Sequence, residues 1–169
     1  NIPWIEKYRP KTLDDISYHD NIKKTIKNFI EKGQFAHLLL AGPPGVGKTS
    51  MILCCSRELY GKENIPFMVL KLNSSSQRGI DCIRNIVKGF IKTNTYSFAH
   101  KNVSNVNFKL IILDEIDSMT PEAQGMLRQI MESHSRYARF CLICNDLEKI
   151  NIALQSRCAL LQFSPLPTE

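Results

Sequence analysis

Gly42-Pro43-Pro44-Gly45-Val46-Gly47-Lys48-Thr49 follows directly on the apolar run Leu38-Leu39-Leu40-Ala41 and leads into a segment, residues 48–60, that reads as a helix. A glycine, four residues and then Gly-Lys-Thr, set between a strand and a helix, is the pattern of a phosphate-binding loop. Its glycines let backbone N–H groups close around an anion with no Cβ in the way, and the helix aims its positive N-terminal end at the same point. Lys48 is expected to reach the β- and γ-phosphates as a point charge and the Thr49 hydroxyl to ligate Mg²⁺, so that Gly42 through Ser50 form the candidate nucleotide contact. A glycine-rich turn without a ligand is the plain alternative, but chance seldom places one between an apolar strand and a helix.

Further on, residues 109–113 form a short apolar run that reads as a buried parallel strand and ends in Asp114-Glu115-Ile116-Asp117. Carboxylates at the C-terminal end of such a strand face the crevice where open α/β sheets bind ligands. Asp114 can hold Mg²⁺, directly or through water, and Glu115 can accept a proton from an attacking water. An isolated Asp-Glu pair would ordinarily be a solvated acidic turn. Beside a phosphate loop it reads as the second half of a nucleotide site.

The 169 residues suffice for one domain with a full core. No apolar run approaches the length of a membrane span and the start, Asn1-Ile2-Pro3-Trp4, lacks a signal-peptide pattern, so the chain is expected to be soluble and not exported. Of the six cysteines, Cys141 and Cys144 have the spacing of a redox or zinc pair. They lie in an apolar strand, however, where residues three apart point to opposite faces, and no second pair completes a zinc site; buried, reduced thiols are expected. His19, His37, His100 and His134 form no ligand spacing. A net charge of +6 and a pI of about 9.0 suit an anionic partner, ATP and nucleic acid alike.

Helical and strand signals alternate, which predicts an α/β fold with a five-stranded parallel sheet and helices on both faces. Strands are expected at 37–41, 68–72, 109–113, 139–144 and 159–163, and helices at 21–31, 48–60, 80–92 and 121–133. Thr120 should cap the last helix with Pro121 at its first position, and 151–155 reads as a short helical turn. Residues 93–107, rich in Asn, Ser and Thr, form the one long loop. Pro165 and Pro167 close the last strand.

Several segments, taken in order, carry a resemblance: Trp4-Ile5-Glu6-Lys7-Tyr8-Arg9-Pro10, the phosphate loop, Leu72-Asn73 followed by Arg78-Gly79-Ile80-Asp81, Asp114-Glu115-Ile116-Asp117-Ser118-Met119, and Ser156-Arg157-Cys158. Together they resemble the signature boxes of the replication factor C small subunits, which are AAA+ clamp loader ATPases. The resemblance spans essentially the whole chain. The Glu-Lys-Tyr-Arg-Pro entry combined with Ser-Arg-Cys is specific to that family, whereas many families share the loop. The strand 140–145 and Ala153-Leu154-Gln155 look most like the members numbered 3 or 5.

The resemblance implies an AAA+ ATPase domain over 1–165, with 166–169 beginning a linker to a C-terminal lid domain. It further implies ATP and Mg²⁺ as cofactors, a hetero-pentamer with other clamp loader subunits, a sliding clamp and primer-template DNA as partners, a nuclear location and no membrane. In this family the entry segment packs on the adenine, which points here to Ile5, Arg9, Ile16 and Ser17; read alone, it is an N-terminal arm with a structural Trp4. Asn145 matches the sensor-1 position, which orients the attacking water or feels the γ-phosphate; alone it would be a turn former. Arg157 matches the arginine finger offered in trans to the ATP of the neighbouring subunit, where a planar guanidinium suits the charge on the γ-phosphoryl oxygens. Without the family it would be a surface charge.

Val46 stands where the family usually has Thr, Ile116 where it has Ala, Ser74 to Gln77 where it has an acidic run, and Gln129 where it has the second arginine of Leu-Arg-Arg. The last two could weaken coupling between DNA and the ATP site, or subunit contacts, while leaving the hydrolytic groups in place. Arg84 and Lys88, four apart on the helix that opens near Ile80, share one face. Alone they make a solvated face; by the resemblance they track the phosphate backbone of DNA, reading position and not sequence. Tyr96 and Phe98 are a candidate clamp-binding pair, or rings folded back on the core. Two other classes share parts of the pattern. A P-loop kinase would need a lid of arginines, and no basic lid run occurs; a non-hydrolysing scaffold would only present Arg157, although the hydrolytic groups Lys48, Thr49, Asp114 and Glu115 are intact.

Overall fold

The computed structural model describes residues 9–16, 18–76, 79–93 and 106–165. Five strands, β1 (Leu38–Ala41), β2 (Val69–Asn73), β3 (Lys109–Asp114), β4 (Ala138–Cys144) and β5 (Ala159–Gln162), alternate with helices α1 (Asp20–Lys32), α2 (Lys48–Tyr60), α3 (Ile65–Met68), α4 (Ile80–Lys92), α5 (Pro121–His134) and α6 (Ile152–Gln155). All strand pairs are parallel, in the order β2-β3-β4-β1-β5. β1 is buried along its whole length, which a strand achieves only with helices over both faces.

Side-chain parity divides the core in two. Leu38, Leu40, Leu110, Ile112, Cys141 and Ile143 pack on one side with Ile22 and Ile26 of α1 and Met51, Ile52 and Cys55 of α2. Leu39, Ile111, Leu113, Phe140, Leu142 and Cys144 pack on the other with Ile83 and Val87 of α4 and Leu127, Ile130 and Met131 of α5. Cys141 and Cys144 therefore lie on opposite faces, as the strand reading expects. No disulfide links the six cysteines, and burial pushes the Cys144 and Cys158 thiols up to about 12.

The long helices match the expected spans to within a residue at each end, and Thr120 caps α5 by accepting the Ala123 N–H at 3.2 Å. The strands shift by one residue at several ends. Helical turns at Leu13–Asp15, Lys62–Asn64, Ile65–Met68, Ile116–Ser118 and Leu147–Lys149 have no counterpart in the sequence reading, because three or four residues are too few to register a period. Tyr96, Phe98, Ile5, Ser17, Arg78 and the linker start at 166–169 lie outside the described residues. Among the described residues no helix is long and apolar enough to cross a membrane.

His37, just before β1, accepts the Phe140 N–H at Nδ1 (3.1 Å) and ties the start of β1 to β4. Burial, with the Arg139 and Arg157 guanidiniums nearby, pushes its pKa down to about 4. The neutral ring is thus the folded form, and the unfolded chain binds the extra proton between about pH 6.5 and about pH 4. Stability is expected to fall as pH drops through that window; burial of His134, with Lys88 nearby, acts in the same direction. His37→Gln, which keeps an acceptor without a titrating ring, should lose less melting temperature than the wild type between about pH 7.5 and about pH 5. Equal losses in thermal melts at the two pH values would assign the acid sensitivity elsewhere.

Candidate functional site

The loop from Gly42 to Gly47 begins where β1 ends. Gly42 is fixed by proximity: its N–H donates to the Cys144 carbonyl at 3.2 Å, and a Cβ there would stand 2.6 Å from the Phe163 carbonyl oxygen. Gly47 is fixed by conformation, with φ of 95° in the left-handed region that favours glycine. It opens α2 with no side-chain cap and no acidic residue in the first turn. The first-turn N–H groups of α2 thus have no side-chain cap, an arrangement that can receive an anion.

Lys48 is 94% buried, and its Nζ donates to the Gly42 carbonyl, to the Pro43 carbonyl at 2.8 Å and to Asn145 Oδ1 at 3.0 Å. Burial lowers its pKa, while Asp114 and Asp117 act in the opposite direction. Asn145 sits one residue past β4 and is exposed. Asp117 fixes the backbone there: its Oδ2 accepts the N–H groups of Asn145 and Asp146, each at 3.1 Å.

Asp114 ends β3, and its Oδ1 accepts the N–H of Glu115 at 2.8 Å. Glu115 adopts a left-handed conformation, φ 56° and ψ 41°, which among the described non-glycine residues only His19 shares. Its carboxylate is turned toward the end of β2, where Oε2 lies 2.5 Å from Ser75 Oγ. That hydroxyl is also 2.7 Å from Asn73 Oδ1. With one proton for two acceptors, it can satisfy only one at a time.

Pro10 and Lys11 lie on the flank of α2, where Cys54 Sγ donates to the Pro10 carbonyl at 3.3 Å and Arg57 to that of Lys11 at 3.3 Å. Arg9 is exposed, and Ile16 is partly buried against the α1–α2 core. His19, given no role by the sequence, touches the loop: its Nε2 lies 3.2 Å from the Val46 carbonyl and its ring packs on Phe163 at 4.8 Å. Arg157 is elsewhere. It precedes β5, whose first residue pairs with Leu38, so it stands at the N-terminal end of the sheet while the phosphate loop stands at the C-terminal end. There its guanidinium binds Glu132. Gln129 lines a groove of about 530 Å³ on α5 with Arg128, Glu132 and Leu154, away from the phosphate loop. Arg84 is paired with Asp81 at 2.5 Å on α4.

Lys48, Asp114, Glu115 and Asn145 thus come from the start of α2, the last residue of β3, the turn that follows it and the turn after β4, all at the C-terminal edge of the sheet where a switch in strand order opens a crevice. Among the described residues no cluster of three or more His, Cys, Asp or Glu could hold a metal by itself. Asp117, Ser75, His19 and Glu132 were missed by sequence reasoning. Asp117 lay in the acidic run after β3, and Glu132 left an i,i+4 spacing from Arg128. Asp117→Ala should cost about 1–3 kcal/mol in urea unfolding, because two backbone N–H groups lose a charged acceptor. A cost under about 0.5 kcal/mol would mean that water replaces both bonds.

A family model described as the ATPase family associated with various cellular activities matches residues 38–166. The chain is 55% identical over 165 residues to a putative replication factor C small subunit of Acanthamoeba polyphaga mimivirus, covering 98% of this chain and 47% of that protein. It is 50% identical over 169 residues to replication factor C subunit 5 of Homo sapiens, covering 100% and 48%, and 46% identical over 169 residues to subunit 3 of Saccharomyces cerevisiae, covering 100% and 47%. The chain spans about half the length of the curated relatives it matches. A RuvB variant of Thermotoga maritima shares the fold at a TM-score of 0.67 and 17% identity, covering 94% of this chain and 48% of that one. A DNA polymerase III gamma subunit-related protein of the same organism aligns at a TM-score of 0.64 and 21% identity, covering 85% and 46%.

Proposed function

The chain belongs to the AAA ATPase family and, within it, to the replication factor C small subunits, and we propose that it is the ATP-binding and ATP-hydrolysing domain of a sliding-clamp loader subunit. In this proposal it works in the nucleus with other loader subunits in a hetero-pentamer, using ATP binding to open a clamp and hydrolysis to release it on primer-template DNA. The observation that supports it best is the Lys48 Nζ to Asn145 Oδ1 hydrogen bond at 3.0 Å, which joins the phosphate loop to the end of β4 across 97 residues.

The uncapped N-terminus of α2, the left-handed Gly47 and the buried Lys48 ammonium fit a triphosphate. Thr49 and Asp114 are the residues that would hold Mg²⁺, which when bound supplies positive charge to the phosphate oxygens. Lys48 adds charge at the β- and γ-phosphates. Glu115 accepts a proton from the water whose oxygen attacks the γ-phosphorus, as the bond to the bridging oxygen breaks and ADP leaves. Asn145, hydrogen-bonded to Lys48 and anchored through Asp117, registers whether the γ-phosphate is present. Ser75 restrains the Glu115 carboxylate with a shared proton, so turning it toward the water requires giving up one hydrogen bond.

Binding and hydrolysis are expected to separate by mutation. Lys48→Ala should lose ATP binding, measured by titration, whereas Glu115→Gln should keep it and lose turnover. A Glu115→Gln loader that hydrolyses ATP at this site at the normal rate would defeat the assignment.

The DNA contact is proposed for Arg84 and Lys88 on α4. Asp81 neutralises part of the charge on Arg84, so the pair should act as roughly one to two counterion-releasing contacts. Arg84→Ala with Lys88→Ala should lower the magnitude of the slope of log K against log salt by about one to two for primer-template DNA of any sequence. An unchanged slope across a salt titration of the assembled loader would leave α4 a solvated face.

A further inference from the structure

Glu132, on the last turn of α5, holds the Arg157 guanidinium. Its Oε1 accepts the Arg157 Nε–H at 3.0 Å and lies 2.7 Å from Nη2 of the same side chain, while Arg128 Nε is 3.4 Å from that oxygen. The main chain beneath Arg157 is fixed as well. The N–H groups of Ser156, Arg157 and Cys158 bond to the carbonyls of Ile152, Leu154 and Gln155, and that of Ala159 bonds to His37. The buried Gln124 pins α5 to the same region: its Nε2 donates to the Lys149 carbonyl at 2.8 Å, and its Oε1 accepts the Asn151 N–H at 2.7 Å.

A guanidinium carries five N–H donors in one plane. Glu132 engages the Nε–Nη2 edge and leaves the outer Nη1–Nη2 edge, a fork that matches two phosphate oxygens. The Arg157 side chain is 48% exposed and that of Glu132 37% exposed, so the group stands at the surface. A carboxylate this close to an approaching phosphate would repel it. Arg128 on the same oxygen offsets that charge, and two guanidiniums with one carboxylate remain net positive.

We propose that Glu132 is a positioning residue for Arg157, orienting its guanidinium plane toward the nucleotide of an adjacent subunit while Arg128 offsets the Glu132 charge. This rests on Arg157 acting as a finger in trans. An unheld arginine on the surface samples many rotamers, and each misplacement of the fork weakens an interaction needed chiefly in the transition state. Exposed ion pairs add little to folding stability, so the pair is expected to matter in catalysis rather than in folding.

The test uses the full-length protein assembled with its partner subunits, with only the adjacent ATP site competent. Glu132→Ala should lower kcat at that site by about tenfold or more with KM nearly unchanged. Glu132→Gln, which keeps an acceptor oxygen, should recover most of the loss, and Glu132→Ala added to Arg157→Ala should cause no further loss. Unchanged or faster turnover in Glu132→Ala, while Arg157→Ala is slow, would overturn the positioning role; so would a further loss in the double variant, or no rescue by Gln. Unchanged turnover in Arg157→Ala itself would remove the finger, and the role of Glu132 with it.

Discussion

β1 is hydrogen-bonded along both edges, to β4 and to β5, and buried on both faces. That constraint organises the rest of the molecule. A strand closed on all sides cannot continue past the layer it fills, and at Ala41 the chain must turn out of the sheet within the narrow space left by its neighbours. The Cys144 carbonyl takes the Gly42 N–H, and Phe163 stands so close that no Cβ fits. The loop is therefore held at its first residue by the two strands flanking β1, and the amides of α2 are aimed from a rigid base. Because β4 lies between β1 and β3, the ends of all three strands converge on one crevice.

Charge in that crevice is balanced by burial. Lys48 is almost fully desolvated, which opposes its ammonium form, and is held by two carbonyls and the Asn145 amide, with Asp114 and Asp117 nearby. Asp117 is held through Oδ2, which accepts the backbone N–H groups of Asn145 and Asp146. The Glu115 carboxylate is more lightly restrained: its one side-chain partner among the described residues, Ser75, divides a proton between it and Asn73. The fixed groups are those proposed to bind phosphate, and the lightly held one is proposed to move a proton. This difference in restraint follows from where each strand ends rather than from the types of side chain.

The two ends of the sheet carry different chemistry. At the C-terminal end lies the crevice; at the N-terminal end lie His37, Arg157, Glu132 and Arg128, clustered where β5 starts and α5 stops. Separated by the length of the strands, the guanidinium and the phosphate loop of one chain do not meet. This separation accords with the role in trans proposed for Arg157.

Much of the fold was legible because it rests on local rules. Alternating apolar runs and helical periods gave five strands and the long helices, Thr120 with Pro121 gave the start of α5, and strand parity placed Cys141 and Cys144 on opposite faces. The positions of the Gly42–Thr49 pattern between β1 and α2 and of Asp114-Glu115 at the end of β3 were legible because each follows an apolar strand run at a fixed spacing. By itself the sequence determined the strand and helix composition, the loop pattern, and the placing of Asp114 and Glu115 at a strand end, whereas Asn145 was singled out through the resemblance. Tertiary structure alone decided that Asp117 serves the backbone of Asn145, that Ser75 restrains Glu115, that His19 reaches Val46, and that Glu132 holds Arg157 at the far end of the sheet. Each of these contacts joins residues many positions apart, brought together by the order in which strands pair, and strand order leaves no period or spacing in the chain to be read.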